Sequence, residues 1–315
     1  MSDDADLAAN LESKRTARRV TERAPTLALW LNEATALVGL GAYAATLPWW
    51  RLAPRGDGHP VLVVPGLMQS DRSTLPLRAF LKDRGHDVHG WALGMNTGRP
   101  GLVDDLLPQL RRWHASGGRT VSIVGWSMGG LFARELAKRA PELVRQVITL
   151  GSPFTGNAKA SNAWRLYQWM SGQRAGDPAV AQRFAGPLPV PTSAIYSRID
   201  GIVAWQCCIN DAEAATPAAP AENIEVRSTH LGLGHHPAVL WAVADRLAQA
   251  EAAWAPFEPP AGLHWMYPPR KTAPNTHKTK ETQHDPGPTS GPLRPRGPGH
   301  RRLARPGAAD GRGAG

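Results

Sequence analysis

Cysteine is almost absent from this chain: only Cys207 and Cys208 occur, and they are adjacent. A disulfide framework needs separated pairs, and a bridge between neighbouring cysteines is strained. The sequence therefore excludes a disulfide-stabilised scaffold and predicts two buried thiols in a reducing compartment. Met1–Val20 mixes acids and bases with no apolar h-region directly after it. We accordingly expect no secretion signal and a cytoplasmic location.

The short motifs of metal and nucleotide sites are also missing. The sequence contains no H-E-x-x-H, no paired C-x-x-C, no G-x-x-x-x-G-K-[ST] and no G-x-G-x-x-G. We therefore expect neither a metal ion nor a cofactor. Hydrophobic residues make up 42% of the 315 positions, which is enough for one sizeable core. This composition excludes collagen, coiled coils and a fully disordered chain.

Positive charge is concentrated at one end of the chain. The formal net charge of +10 would suit a nucleic-acid or anionic membrane partner. Residues 268–315 hold ten Lys and Arg against three acids, or +7, and residues 1–267 hold only +3. The same 48 residues contain nine Pro, eight Gly and no aromatic residue. They predict a disordered basic tail, and we expect no specific nucleic-acid partner.

A repeated alternation of strand and helix begins at His59. The residue pattern predicts strands at 60–64, 87–91, 120–124, 146–150, 192–196 and 223–226, with helices including 74–84, 131–139 and 237–250. Such alternation is typical of parallel βαβ units. The predicted organisation is a polar segment 1–25, an apolar helix region 26–55, a main domain 56–267 with a cap at about 152–190, and the tail 268–315.

Residues 26–50 form the most apolar stretch of the chain. One helical face carries the apolar residues Leu27, Trp30, Leu31, Ala34, Leu37, Val38 and Gly41, and the other carries Asn32 and Glu33. One interpretation is an amphipathic helix packed on the core. The other is a peripheral membrane or lipid-entry surface. A transmembrane span is disfavoured, because the polar pair interrupts the run.

The strongest motif is Gly125-Trp126-Ser127-Met128-Gly129-Gly130, directly after a predicted strand and directly before a predicted helix. This is the setting of a nucleophile elbow, in which a sharp turn lifts a serine hydroxyl out of the sheet. The turn needs small residues at Gly125 and Gly129, because a Cβ there would collide with neighbouring elements. It also aims the Met128 N–H at the reacting oxygen. A purely structural glycine-rich turn is the alternative.

With this motif the chain resembles the α/β-hydrolase family, and within it the bacterial esterase/lipase-like members. The resemblance runs from about residue 59 to 250. It implies an α/β-hydrolase fold: a mostly parallel, doubly wound sheet with a small cap insertion. It also implies a Ser-acid-His triad in that chain order, in which a base takes the serine proton and a carboxylate orients the base.

The residues supply an acid and a base in this order. Asp200 ends an apolar strand in an Asp-Gly turn, as the resemblance implies for the acid, although an ordinary turn Asp has the same pattern. Asp177 and Asp211 are weaker candidates, since neither follows a convincing strand. For the base, His230 follows the last predicted strand and precedes the last helix, where the family has its histidine. The nearby pair His235 and His236 remains an alternative, with a structural role at the start of that helix.

The oxyanion hole needs a second backbone donor from the loop after the first predicted strand. Many relatives have His-Gly where this chain has Pro65-Gly66. The glycine permits close approach of the backbone, so we expect the N–H of Leu67, or less favourably that of Met68, to be the donor. The predicted function is cleavage of a lipid-like or short acyl ester through an acyl-enzyme on Ser127.

Two rival functions fit the same sequence. An acyltransferase would use the same triad with an alcohol or amine in place of water. A non-catalytic binding protein would use a hydrolase scaffold and dock through its basic tail. The ordered triad favours catalysis over the second rival, whereas the sequence does not separate hydrolase from acyltransferase.

Overall fold

The computed structural model describes residues 24–99, 101–155, 162, 183–211, 215–251 and 253–268. Most of the predicted cap and nearly all of the predicted tail lie outside them. The chain divides into two units, Met1–Arg270 and Lys271–Gly315. The division falls three residues beyond the predicted end of the main domain at residue 267.

Within the described residues, six strands form one fully parallel sheet. They are β1 (Pro60–Val64), β2 (Asp87–Gly90), β3 (Val121–Trp126), β4 (Val144–Leu150), β5 (Thr192–Ser197) and β6 (Ala221–Val226). Their spatial order is β2-β1-β3-β4-β5-β6. The predicted doubly wound parallel sheet is therefore confirmed, with strand ends that differ from the prediction by at most two residues.

The helices of the described residues connect these strands or precede them. They are α1 (Leu27–Asn32), α2 (Ala36–Thr46), α3 (Leu75–Asp83), α4 (Leu102–Gly117), α5 (Met128–Arg139) and α6 (Pro237–Ala248). Short 3₁₀ turns lie at Glu33–Thr35, Leu47–Leu52, Pro141–Leu143, Trp205–Cys208, Leu231–Gly234 and His264–Met266. Pro237 is accommodated in the first turn of α6, where its missing N–H removes no hydrogen bond.

The alternating side chains of the central strands build two cores, one on each face of the sheet. Val61 and Val63 of β1 face a core that includes apolar residues of α3 and α6. Leu62 and Val64 of the same strand face the other core, formed largely by α4 and α5. Burial on both faces explains why the strands are almost continuously apolar. Cys207 and Cys208 are both buried, as predicted, beside apolar neighbours.

The N-terminal helices turn their polar face toward the protein and their apolar face outward, the reverse of what the packing interpretation expects. Leu27, Leu31, Leu37 and Val38 are 59% to 75% exposed, whereas Glu33 is only 6% exposed. The interpretation that the apolar face packs on the core is therefore wrong. The helix is also broken by the 3₁₀ turn that carries the glutamate. The physical reason is that backbone N–H groups beneath this turn require an acceptor, which the carboxylate provides.

Other contacts attach the same segment to the sheet-covering helices. The Tyr43 hydroxyl donates a hydrogen bond of 3.1 Å to the carbonyl of Pro76, and the Tyr43 ring meets the edge of Trp50. Trp50 in turn packs against Phe80 of α3, with ring centroids 5.0 Å apart. Within the described part of the chain, no helix has the length and apolar character needed to cross a bilayer.

The chain reverses its winding between β1 and β3, because β2 lies on one side of β1 and all later strands lie on the other. In open α/β sheets, ligands bind in the crevice beyond the carboxyl ends of the strands at such a reversal. The loop that follows β1 and the turn that follows β3 meet there.

Two histidines are buried at the opposite end of the sheet, next to the amino ends of β1 and β2. His59 precedes β1 and is held by Asp57 and by the Ser122 hydroxyl, at 2.5 and 2.8 Å. The His86 ring packs edge-on against it, with centroids 5.0 Å apart. Neither His86 ring nitrogen has a hydrogen-bond partner among the described residues. Burial lowers the pKa of His86 to about 4.

This buried histidine predicts loss of stability in mild acid. An unfolded histidine titrates near pH 6.5, so between about pH 6.5 and pH 4 the unfolded state binds more protons and is favoured. We expect the urea unfolding midpoint to fall as the pH decreases through this range. Above pH 7, His86 is neutral in both states and should contribute nothing to the pH dependence of the midpoint. His86→Leu should make the decline shallower, and His264→Asn, at an exposed position, should not. An unchanged slope in His86→Leu would contradict the prediction.

Candidate active site

Ser127 occupies the sharp turn between β3 and α5. The strand ends at Trp126 and the helix begins at Met128, so Ser127 alone makes the change of direction. Its backbone has φ 51° and ψ −119°, a conformation that a residue with a side chain rarely adopts. Its N–H donates to the carbonyl of Leu150 at 2.7 Å, which ties the turn to β4. An outlier of this kind supports a functional hypothesis.

Close backbone packing requires glycine on both sides of this serine. A Cβ on Gly125 would lie 2.4 Å from the Cα of Gly130. A Cβ on Gly129 would lie 2.3 Å from the carbonyl oxygen of Val64 in β1. Both obstacles are backbone atoms of neighbouring elements, which cannot move aside as a flexible side chain can. Steric exclusion of a side chain by neighbouring backbone therefore explains why both positions are glycine.

The loop after β1 lies directly against the serine. A Cβ on Gly66 would be 3.2 Å from the Ser127 Cβ. The Met68 N–H already donates to the Asn96 carbonyl at 2.7 Å. The N–H of Leu67 has no such bond among the described residues, so the geometry favours Leu67 over Met68 as the donor of an oxyanion hole.

The second donor, the N–H of Met128, belongs to the first turn of α5. The first N–H groups of a helix have no intrahelical acceptor and carry the positive end of the helix dipole. Together with the loop after β1, this N–H can stabilise a developing oxyanion next to Ser127.

Asp200 lies just beyond β5, and both of its carboxylate oxygens are engaged. Oδ1 accepts hydrogen bonds from the N–H groups of Ile202 and Val203 at 2.8 and 2.7 Å. Oδ2 lies 2.6 Å from Nδ1 of His230. Because the residue is only 3% exposed, the carboxylate has a fixed orientation toward the imidazole.

His230 lies beyond β6 and is equally buried, at 3% exposed. The Trp126 indole N–H donates to its carbonyl oxygen at 3.2 Å, which places His230 beside the serine turn. Burial by itself lowers the pKa of His230. The Asp200 carboxylate, through its charge and hydrogen bond, and the Glu33 charge outweigh this effect and raise the pKa above its ordinary value.

The structure brings Asp200 and His230 together but does not join His230 to the serine hydroxyl. Among the hydrogen bonds of the described residues there is one between His230 and Asp200, and none to the Ser127 side chain. Catalytic hydrogen bonds without substrate are often long and tighten on binding.

The alternative residues have other roles. Nε2 of His235 lies 3.0 Å from the Ala36 carbonyl. The His236 side chain accepts a hydrogen bond from the Ala238 N–H and caps α6, a structural role expected from the sequence. Asp211 is exposed, and Asp177 lies outside the described residues. Among the candidate acids and bases, Asp200 and His230 form a buried acid–base contact.

Sequence reasoning missed two residues that shape this site. Asn96, fully buried, donates to the Pro65 carbonyl at 2.8 Å, and its own carbonyl holds Met68. Glu33 binds the backbone of the loops that carry Asp200 and His230. The one available signal was that Glu33 is the only charged residue between positions 24 and 50.

A second cluster of ionisable groups lies at the opposite edge of the sheet. Asp57, His59 and His86 each present a ligand atom, all within 4.8 Å of one another. Asp57 also pairs with Arg119 at 2.5 Å and with Arg145 at 3.0 Å. Because these guanidinium groups would repel a metal cation, we assign the cluster a structural role.

Comparison with known proteins agrees with the observed topology. Residues 100–197 match the sequence profile of a family described as alpha/beta hydrolase fold. The predicted fold class is therefore confirmed, and the chain has the α/β-hydrolase fold.

Curated relatives match part of the chain. A triacylglycerol lipase of Burkholderia plantarii is 30% identical over 139 residues, which cover 41% of this chain and 36% of the lipase. A triacylglycerol lipase of Pseudarthrobacter phenanthrenivorans is 31% identical over 109 residues, covering 31% and 34%. The chain thus spans about a third of the length of these relatives. The crystal structure of Aspergillus fumigatus lipase B aligns with 62% of this chain and 53% of its own, at 19% identity and a TM-score of 0.48.

The contact between Asp200 and His230 predicts a measurable shift in titration. We expect NMR titration of the His230 ring to give a pKa above 6.5, because the carboxylates outweigh burial. Asp200→Asn removes the larger of the two charge effects, so the pKa should fall below that of the unsubstituted protein. Asp211→Asn, which alters an exposed carboxylate instead, should leave it unchanged. Equal pKa values in the Asp200→Asn and unsubstituted proteins would show that the pair is not coupled.

Proposed function

We propose that this chain, which has the α/β-hydrolase fold, is a serine hydrolase that cleaves lipid-like or short acyl carboxylic esters. The observation that carries the proposal is the buried 2.6 Å contact between Asp200 and His230, beside the strained turn at Ser127. The names of the two partial relatives, both triacylglycerol lipases, support the same class of substrate.

The first half of the proposed reaction forms an acyl-enzyme. His230 takes the proton from the Ser127 hydroxyl as Oγ attacks the ester carbonyl carbon. The carbonyl oxygen becomes an oxyanion, held by the N–H groups of Met128 and Leu67, each of which lowers the barrier by about 3 kcal/mol. When the tetrahedral intermediate collapses, His230 returns the proton to the leaving alkoxide.

The second half repeats these steps with water. His230 removes a proton from a water molecule, whose oxygen attacks the acyl carbon. The bond to Ser127 Oγ breaks, Oγ regains a proton from His230, and the carboxylic acid is released. Throughout, Asp200 keeps the proton on Nδ1 of His230, so that Nε2 is the atom that exchanges protons with substrate and serine.

The nucleophile assignment predicts that activity is lost with one hydroxyl group. Ser127→Ala should abolish labelling by a fluorophosphonate probe and reduce hydrolysis of p-nitrophenyl butyrate to background, a loss on the order of a million-fold where a triad acts as a unit. Ser116→Ala, in which an exposed serine of α4 is changed, should behave like the unsubstituted protein. Equal labelling of the Ser127→Ala and unsubstituted proteins would exclude the acyl-enzyme. p-Nitrophenyl esters of graded chain length would then define the acyl preference.

We also propose that the N-terminal helices meet the lipid surface from which a water-insoluble ester is taken. The apolar surface of these helices consists of the exposed side chains Leu27, Trp30, Leu31, Leu37, Val38 and Leu40. No charged residue occurs between positions 34 and 50, so no charge within this stretch opposes insertion into the interfacial region of a lipid layer. The turn at Glu33 contacts the loops of Asp200 and His230, so this surface adjoins the site.

The proposed lipid surface predicts a loss confined to aggregated substrates. The double variant Leu37→Ser, Val38→Ser should bind phosphatidylcholine vesicles more weakly and hydrolyse an emulsified long-chain ester more slowly. Hydrolysis of dissolved p-nitrophenyl butyrate should stay the same, since both side chains are 75% exposed. Trp265→Ser removes an equally exposed side chain elsewhere and is the matched control. Vesicle binding that is equal in all three proteins would refute this role.

A further inference from the structure

The Glu33 carboxylate binds the backbone of two separate loops. Oε1 accepts hydrogen bonds from the N–H groups of Gly201 and His230, each at 2.8 Å. Oε2 accepts one from the N–H of Leu231, also at 2.8 Å. The first loop follows β5 and carries Asp200, and the second follows β6 and carries His230. One side chain from a distant part of the sequence thus bridges the acid and the base.

This carboxylate is buried without a cationic partner among the described residues. Glu33 is 6% exposed and has no Lys, Arg or His partner in the ion pairs of the described part of the chain. A buried charge is tolerated only where strong hydrogen bonds replace its hydration. Hydrogen bonds to an ionised acceptor are about twice as strong as neutral ones. Three backbone donors on one carboxylate therefore make a rigid junction.

The backbone of α1 closes the same junction from outside. A Cβ on Gly201 would lie 2.1 Å from the carbonyl oxygen of Leu29 and 2.8 Å from the backbone nitrogen of Trp30. Glycine at this position lets the helix lie directly on the loop next to Asp200. The orientation of the acid loop thus depends on how the N-terminal segment is seated.

We infer that Glu33 is a positioning residue, which holds the loops after β5 and β6 together so that Asp200 meets His230. The inference rests on the proposed function, because it assigns Glu33 a part in the same proton transfers. It extends that function to a segment that precedes the sheet and lies outside the residues matched by the family profile, 100–197.

The charge of Glu33 also acts on the base. Asp200, from the loop after β5, and Glu33 both raise the pKa of His230, against the lowering effect of burial. The elements on its other sides present the uncharged Trp126 and Gly151 to this residue. Neutralising Glu33 therefore lowers the pKa of His230 as well as loosening its loop.

The test compares Glu33→Gln with Glu33→Asp in the full-length chain. Glu33→Gln removes the charge and replaces one acceptor oxygen by an amide that cannot accept. We expect kcat for p-nitrophenyl butyrate to fall about 10- to 100-fold, as for a lost bond to a charged group. The acidic limb of the kcat/KM profile should move to lower pH. Glu33→Asp keeps the charge but has a shorter reach, so kcat should fall while the limb stays in place.

Three further variants separate positioning from general destabilisation. Glu222→Gln changes another buried carboxylate, which accepts from Ser193, Arg246 and the Phe257 N–H at the far end of β6. It should lower the melting temperature without moving the pH profile. Gly201→Ala should lower kcat like Glu33→Asp, because its Cβ displaces α1. Gly41→Ala, where a Cβ meets nothing within 4 Å, should have no effect. Rates are expressed per active site, counted by fluorophosphonate labelling.

The inference is overturned if Glu33→Gln matches the unsubstituted protein in kcat per labelled site and in its pH profile. It is also overturned if Glu222→Gln shifts the profile equally. NMR titration of the His230 ring keeps this outcome distinct from failure of the proposed function. If Ser127 is not a nucleophile, labelling is absent in every variant, yet Glu33→Gln still lowers the pKa of His230. An unmoved pKa rejects the role of Glu33 whatever reaction the site performs.

Discussion

The close approach of α5 to β1 and β3 is the constraint on which the site depends. At Gly125 and Gly129 any side chain would press on backbone atoms of a neighbouring element, at 2.4 and 2.3 Å. The chain satisfies the constraint by omitting side chains there and by placing Ser127 at φ 51°. A strained residue of this type costs about 1–3 kcal/mol and persists only when its surroundings over-determine it. Here β3 is buried on both faces, and α5 is buried along most of its length.

Much of this arrangement can be predicted from the sequence, because the strands of a parallel sheet and the turns after them have a recognisable residue pattern. Strands covered on both faces are continuous apolar runs, and the turns after them carry the polar chemistry. Asp200 follows β5, which is buried along its whole length, and His230 follows β6, an edge strand in which buried and part-buried residues alternate. Parallel pairing of β5 with β6 brings positions just beyond neighbouring strands to one edge of the sheet. The proximity of this acid and this base could therefore be expected before any distance was known.

The orientation of the N-terminal helices could not be predicted from the sequence in the same way. Helical periodicity identifies an apolar face, but it does not say which face meets the protein. That choice depends on the N–H groups of Gly201, His230 and Leu231, whose positions are set by strands more than 150 residues later. Leaving three buried donors unpaired costs about 1–3 kcal/mol each. Exposing the apolar side chains to water forgoes about 1.5–3 kcal/mol for each large side chain, a loss that the proposed lipid layer would remove by covering them. Asn96 was missed for a related reason, since its partners in the loop after β1 are distant in sequence.

Two carboxylates around one imidazole have opposing effects on a base. By stabilising the imidazolium, they favour the charged form that arises in each half of the proposed reaction. By raising the pKa, they also reduce the neutral fraction that can accept a proton near neutral pH. A buried histidine without them would have the reverse problem, since burial lowers its pKa and weakens it as a base. General bases work best with a pKa near the operating pH. Asp200 makes the larger contribution against burial, and Glu33 adds a smaller one from a separate segment. The seating of that segment therefore adjusts the strength of the base as well as its position.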